Sequence, residues 1–442
     1  MNTPLAQSDR TLVEVLRKTV SGRRSAQDVI SECLNRIEQL EPHLQAWVHL
    51  DSEQALATAC ELDSRIQRGE PCGGLWGVPM GIKDLYDVAG SPTGCGFAPW
   101  EAGLPCTQDG PLIERIRRAG GILLGKTVTT QFACFDPPAT RNPWNRSRTP
   151  GGSSSGSAVG VASGMCFAAM GSQTGGSIIR PASFCGIAGY KPSWGRFPVT
   201  GLFPASPSLD VPGPMARCVH DLWVLEGVLS GVNDREVLSR LESVGRPLGR
   251  LGILKGRFER VASPDCWTVF EKTVDRLSTT GVDVFECSLP GLFDTVVENH
   301  RTVMITEISA GHENRLHQSP GEYRPRMAGL VREGSAIRGV DYIRAREHQH
   351  ALSSEMDRLL ETAGVVACPS TPGGAPGIDT TGDPTFNSPF SYCGLPAVTL
   401  PMGLDSDGLP LGLQLIAARG NDRELLQAAL WCERQLGQVL PN

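Results

Sequence analysis

This chain reads as an α/β protein in which strand-like and helical segments alternate, a pattern that permits a mixed central sheet covered by helices. Two observations carry that reading. Short apolar runs at 79–82, 122–124, 365–368, 397–401 and 411–416 have the length and composition of strands, and between them apolar residues recur at helical intervals. With 40% hydrophobic and 20% charged residues over 442 positions, the chain can also bury a large core, although length alone fits two or three domains.

Taken in order, the first seventy residues read as three helices. Ser25 with Asp28 forms a loose capping box, Asp standing where Glu is usual, ahead of a helical pattern at 28–40; a second pattern follows at 51–66. Glycines between 69 and 77 break the periodicity, and these helices are expected to cover one face of a sheet. From Val78 short strands take over, so Lys83 emerges at a strand end, where α/β enzymes commonly place reactive groups. Pro111 opens a helix, and Pro204 and Pro207 mark loop. Residues 248–364 mix strand-like pieces with long helical patterns and are expected to form a lid over a pocket, with Trp267, Phe293, Tyr323 and Tyr342 in the core. The chain closes with returning strands and a helix at 422–436, capped by Asn421 or Asp422.

The most informative stretch runs from 148 to 191. Between Arg148 and Arg180 there is no acidic or basic side chain, yet alanines, valines and methionines rule out a solvated Gly/Ser tether. The stretch therefore reads as buried. Gly151-Gly152-Ser153 and Gly175-Gly176-Ser177 bracket a helix of small residues expected over 158–169. Paired glycines before a serine suit a turn whose N–H groups point at a ligand, which is how an oxyanion hole is made. Singly, each group would be an ordinary loop.

GGSSSGSA and SQTGGSIIRPASFCGIAGYKPSWGR, with Gly81-Ile82-Lys83-Asp84 upstream, resemble the motifs of the amidase signature family, serine amidases that use a Ser-Ser-Lys triad. The similarity continues at 207–222, in FNSPFSYCGLPAVTLPMG and in GLPLGLQLIAARGNDRELL. It implies a mixed central β-sheet flanked by α-helices on both faces and one domain over 1–442. Within that domain the N-terminal helices span 1–70, the catalytic core 78–222, the helix-rich segment 248–364, and the C-terminal strands and helix 365–442. It implies amide hydrolysis without metal or cofactor. Ser177 would be the acylated nucleophile, Ser153 a proton relay in a cis peptide and Lys83 the terminal base. The amides of Thr174, Gly175, Gly176 and Ser177 would form the oxyanion hole.

Arg180, three positions beyond Ser177 and without a local partner, looks closest to the malonamidase-like branch, where an arginine at this place meets a substrate carboxylate. The alternative is a structural ion pair with a distant acid. The chain departs from the commoner family pattern at Gln173, where Asp is frequent, and at Gln131, where Glu is common. Both changes remove a negative charge near the expected site.

A serine hydroxyl needs a base, and lysine is a base only when neutral. Burial in an uncharged pocket would lower the pKa of Lys83, whereas the adjacent Asp84 would hold it charged. Ser154 and Ser155 are expected to support the loop by hydrogen bonds.

Two motifs mislead. Residues 120–127, GGILLGKT, fit the P-loop pattern, but a helix precedes them and apolar residues stand where a phosphate loop belongs; a strand with a turn at Gly125 is the better account. Residues 152–156 fit GxSxG, but loop precedes them, and His348 and His350 lie in a charged helical pattern, which disfavours a Ser-His-Asp triad. The 14 cysteines include no CxxC pair and read as reduced and mostly buried; Cys185 is a candidate nucleophile with the core as its better account.

A net charge of −6 gives no electrostatic case for nucleic acid or an anionic membrane. The N terminus lacks an apolar leader core and no run is apolar enough to span a bilayer, so a cytoplasmic protein acting on a small-molecule amide, with a homodimer admissible, is expected. Carbamate or ester cleavage would use the same residues. The rivals are a glutaminase subunit feeding ammonia to a partner and a catalytically silent binding protein.

Overall fold

The computed structural model describes residues 11–437, 439 and 440; the part of the leader reading that rests on residues 1–10 lies outside them. Among the described residues, eleven strands form one mixed sheet: β1 (Trp47–Leu50), β2 (Pro79–Lys83), β3 (Ile122–Thr127), β4 (Ala168–Gln173), β5 (Ala188–Lys191), β6 (Val211–Ala216), β7 (Arg250–Ile253), β8 (Asp283–Glu286), β9 (Val365–Pro369), β10 (Ala397–Leu404) and β11 (Pro410–Ile416). Their order is β1-β3-β2-β4-β6-β5-β10-β11-β9-β7-β8. β2 runs parallel to β3 and β4, and β7 to β8 and β9, while the remaining pairs are antiparallel.

Helices cover both faces. Ser155–Ala162 and Ile179–Cys185 pack on each other and on the sheet, as do Val219–Leu229 and Asp422–Leu436. One apolar core extends across the sheet. Among the described residues, no helix is long and apolar enough to cross a membrane.

Three helices precede β2 as expected: Leu12–Val20, Ala26–Leu44 and Ser52–Gln67. Thr11 and Glu14 close a reciprocal capping box on the first. On the second only the serine half forms, Ser25 Oγ accepting the Asp28 amide at 3.0 Å, while Asp63 accepts the amides of Ala26 and Gln27. β1, between the second and third helices, is an unexpected element. It is a four-residue edge strand held by pairing with β3.

The stretch that holds the uncharged run is buried from Thr149 to Lys191, with only Ala162, Gly164 and Gly186 half-buried. Its helix is Ser155–Ala162, not 158–169. Gly164 takes a positive φ of 71° and ends it, so Ala168 and Ala169 fall in β4. Arg217 Nε donates to Val161 O and Arg36 Nε to Ser163 O, satisfying carbonyls at the helix end. At its start the helix presses on the chain around β1 and β3. A Cβ at Gly156 would stand 2.2 Å from Ala46 O and 2.3 Å from Val128 N, so only glycine lets Ser153 sit this close to the sheet.

The false P-loop match runs as the expected strand, continued through Thr127, and Gly125 lies at a register shift against β2 where a turn was expected. At the C terminus Asn421 holds the N-cap position without a side-chain bond; Asp422 instead accepts from Tyr190 Oη, Ser193 N and Ser193 Oγ, tying the loop after β5 to the last helix.

Candidate active site

Lys83 is the last residue of β2, fully buried, and its Nζ donates to Ser153 Oγ at 2.7 Å and to Ser172 Oγ at 2.9 Å. Burial lowers its pKa to about 7, against a smaller opposing pull from Asp210, Cys134 and Cys95. Asp84 does not hold Lys83 charged. It faces away and pairs with Lys126 at 2.9 Å, both side chains buried, so the lysine of GGILLGKT neutralises the acid of the lysine motif.

Ser153 follows a cis Gly152–Ser153 peptide. Its neighbours hold the loop: Ser154 Oγ donates to Ser172 O and accepts the Ser172 amide, and Ser155 Oγ donates to Gly151 O. Ser154, the central serine of the GxSxG match, is thereby engaged with backbone.

Ser153, Thr174, Gly175, Gly176, Ser177 and Arg180 line one cavity of about 290 Å³. Among the described residues Ser177 Oγ makes no hydrogen bond, to Ser153 or to any other group, and the amides of Gly175, Gly176 and Ser177 donate to no acceptor. A Cβ on Gly176 would meet Asn387 Oδ1 at 2.7 Å, so a larger residue would have to displace Asn387 where the loop passes the C-terminal segment.

Arg180 is buried and within 4.0 Å of no carboxylate among the described residues. One Nη donates to Gly152 O at 2.8 Å, the carbonyl of the cis peptide, while Nε and the other Nη have no partner. Burial lowers its pKa to about 10, partly opposed by Asp383 at the cavity rim.

The helix-rich segment supplies a wall of the cavity through Val297, His300, Met304 and Ile308, all on the helix Val296–Gln318. Trp267, Phe293 and Tyr323 are buried and Tyr342 is half-buried, and none lines the cavity. Phe132 and Ala133 turn the chain at the cavity edge with φ of 51° and 62°, a strained conformation for residues with a Cβ.

His348 is spent on Tyr392 Oη and Leu292 O, and His350 is exposed. Cys185 is buried, its thiol pushed well up by burial, and lies outside the cavity.

The Amidase family model matches residues 28–426. The chain belongs to the amidase family. One subunit of the glutamyl-tRNA(Gln) amidotransferase of Gloeothece citriformis is 32% identical, the match covering 94% of this chain and 95% of that relative. The solved native peptide amidase of Stenotrophomonas maltophilia superposes with a TM-score of 0.83 at 28% identity, covering 98% of each chain. A chain from a vestigial protein complex said to reveal the evolutionary origins of an s-triazine catabolic enzyme gives 0.89 at 28% identity, over 97% of this chain and 99% of that one. Family and fold read from the signature are thus confirmed.

Four residues of this amidase's site were not singled out from the sequence. Ser172 is the second acceptor for Lys83. Asp210, its pKa raised to about 6 by burial, accepts Thr174 Oγ1 and the amides of Ala205 and Ser206. His300 reaches Thr174 O at 3.1 Å and Ser391 reaches Gly175 O at 2.7 Å. Asp210 lies within the family-like stretch 207–222, which was its one available signal; His300 sits in a helical pattern that gives none.

Proposed function

We propose that this amidase cleaves a linear carbon–nitrogen amide bond through an acyl-enzyme on Ser177, with Ser153 as relay and Lys83 as base. The observation that carries the reading is the 2.7 Å contact between Lys83 Nζ and Ser153 Oγ, made by a lysine whose pKa burial has brought to about 7. As Ser177 Oγ attacks the carbonyl, its proton passes to Ser153, and that of Ser153 to neutral Lys83. The same path returns a proton to the nitrogen as it leaves as ammonia or an amine. Water then attacks the ester and regenerates Ser177. The amides of Thr174, Gly175, Gly176 and Ser177 would hold the oxyanion. The link from Ser153 to Ser177, not made in the free protein, would form when substrate fills the cavity. Carbamates and esters present the same electrophilic carbonyl.

The substrate class we propose carries a carboxylate beside the scissile amide, as in the malonamidase-like branch. What supports this is an arginine with, among the described residues, no acid partner and two unpartnered donors beside the nucleophile. Arg180→Ala should raise KM for acidic amides about 10- to 100-fold and leave neutral amides unchanged; equal losses on both would assign the residue to bracing the Gly152 carbonyl alone. The direct test of the activity is release of ammonia or amine from neutral, aryl, acidic and carbamate substrates, with Ser177→Ala as blank.

The 32% identity to one component of an amidotransferase supports a second reading, a glutaminase that passes ammonia to a partner. That reading requires weak activity of the isolated chain and a stable heteromeric complex. A silent binding protein would leave Ser177 unlabelled by serine-directed reagents.

A further inference from the structure

We infer that His300 and Ser391, two side chains outside the glycine-rich motifs, are positioning residues that aim the oxyanion-hole amides of Gly175 and Gly176 at the cavity. In a trans peptide the C=O and the following N–H point in opposite directions, so anchoring the oxygen fixes where the hydrogen goes. Three consecutive carbonyls are anchored here. Thr174 O accepts from His300 Nε2 at 3.1 Å, Gly175 O from Ser391 Oγ at 2.7 Å, and Gly176 O from the Arg180 amide at 2.9 Å. Each anchor turns the next amide, that of Gly175, Gly176 and Ser177 in turn, away from the protein atom that holds the carbonyl. These three amides have no acceptor of their own among the described residues, and all three residues line the cavity.

Two of the anchors are particular to this chain's wider architecture. His300 comes from the helix Val296–Gln318 and Ser391 from the short helix Ser388–Tyr392. A carbonyl only accepts, so His300 Nε2 must carry the proton. Burial keeps the ring neutral by lowering its pKa to about 4. Ser391 Oγ accepts from Gln173 Nε2 at 3.0 Å, which leaves the serine proton for Gly175 O, while Gln173 Oε1 takes the amides of Ile178 and Ile179. A carboxylate at this position could not donate to Ser391. Gln173 is therefore matched to Ser391.

The inference rests on the acyl-enzyme reading, and the test separates the two. On the full-length chain, kcat and KM for an amide substrate and the affinity of a boronic acid that adds to Ser177 as a tetrahedral anion are measured in His300→Ala, His300→Gln and Ser391→Ala. Loss of an anchor should lower kcat and weaken boronate binding by a similar factor, about 10- to 100-fold, with KM nearly unchanged. His300→Gln, whose side-chain N–H reaches the place of Nε2, should recover most of both. Unchanged boronate affinity in the alanine variants, a rise in KM alone, or no rescue by glutamine in a protein of unaltered melting temperature would overturn the assignment. Full activity in Ser177→Ala would instead sink the acyl-enzyme reading itself.

Discussion

Among the described residues Lys83 has no carboxylate partner; its ammonium form loses water and gains two serine hydroxyls and, at 3.5 Å, the Ser172 carbonyl in exchange. That is why its pKa falls to about 7, and why the usual objection to lysine as a base at neutral pH does not hold here. On the proposed mechanism the group is inactive once protonated below that value, so kcat/KM should rise with pH through about 7. Lys83→Ala should lower kcat/KM about 10²- to 10⁴-fold and leave a residual rate without that acid limb; a pH profile of both enzymes checks it. Asp84, next in sequence, points across the strand end to Lys126, which adjacency alone did not reveal. The departures from the family pattern have a physical sense at this scale too, because a glutamine both accepts and donates. Gln173 uses both capacities at the active-site loop, and Gln131 accepts the Arg324 amide at 2.8 Å while donating to Glu322 O at 2.9 Å.

At the scale of elements, Gln131 is a tether between the core and the helix-rich segment that walls the cavity. Gln131→Glu would keep the acceptor, lose the donor and place a charge in a buried position. It should cost about 1–3 kcal/mol, read as a lower urea midpoint. A midpoint equal to that of the parent would show that the tether carries no stability. The long, periodic elements were legible because their signals are local. The strand ending at Lys83, the helix opened by Pro111 and the final helix Asp422–Leu436 stand where the sequence puts them. Two elements were not. β1 exists because β3 offers it a partner 75 to 80 residues further along the chain, and the small-residue helix stops at Gly164 for a backbone angle that no apolar periodicity encodes. The false P-loop and the false nucleophile elbow were rejected on neighbouring pattern alone, and Lys126 and Ser154 are indeed committed elsewhere.

Over the whole molecule, the absence of charge between Arg148 and Arg180 was the most reliable guide, because a stretch without charge that is too apolar for a tether belongs inside. What it could not disclose is which distant segments close around it. His300 and Ser391 arrive at the loop through tertiary packing that brings 296–318 and 388–392 to one cavity. Stability at this scale also depends on pH through a site remote from catalysis. Asp221, fully buried, accepts the Val13 amide at 3.0 Å and anchors the first helix; burial raises its pKa to about 7, against the weaker pull of the Val13 and Leu12 amides. The folded chain therefore holds a proton that the unfolded chain releases near pH 4, and this contribution to stability is lost as pH rises from about 4 to about 7. Asp221→Asn keeps the acceptor for Val13, so its urea midpoint should fall less than that of the parent between those limits; identical pH dependence would contradict the assignment.

The claim beneath all three scales is that a neutral lysine, acting through one hydroxyl, activates another. The rate at which a fluorophosphonate labels Ser177, followed by mass spectrometry across pH, tests it most directly. If the claim holds, a single adduct forms on Ser177, at a rate that rises with pH through about 7 and collapses in Lys83→Ala. Labelling that ignores pH, survives that substitution or lands on another residue would refute it.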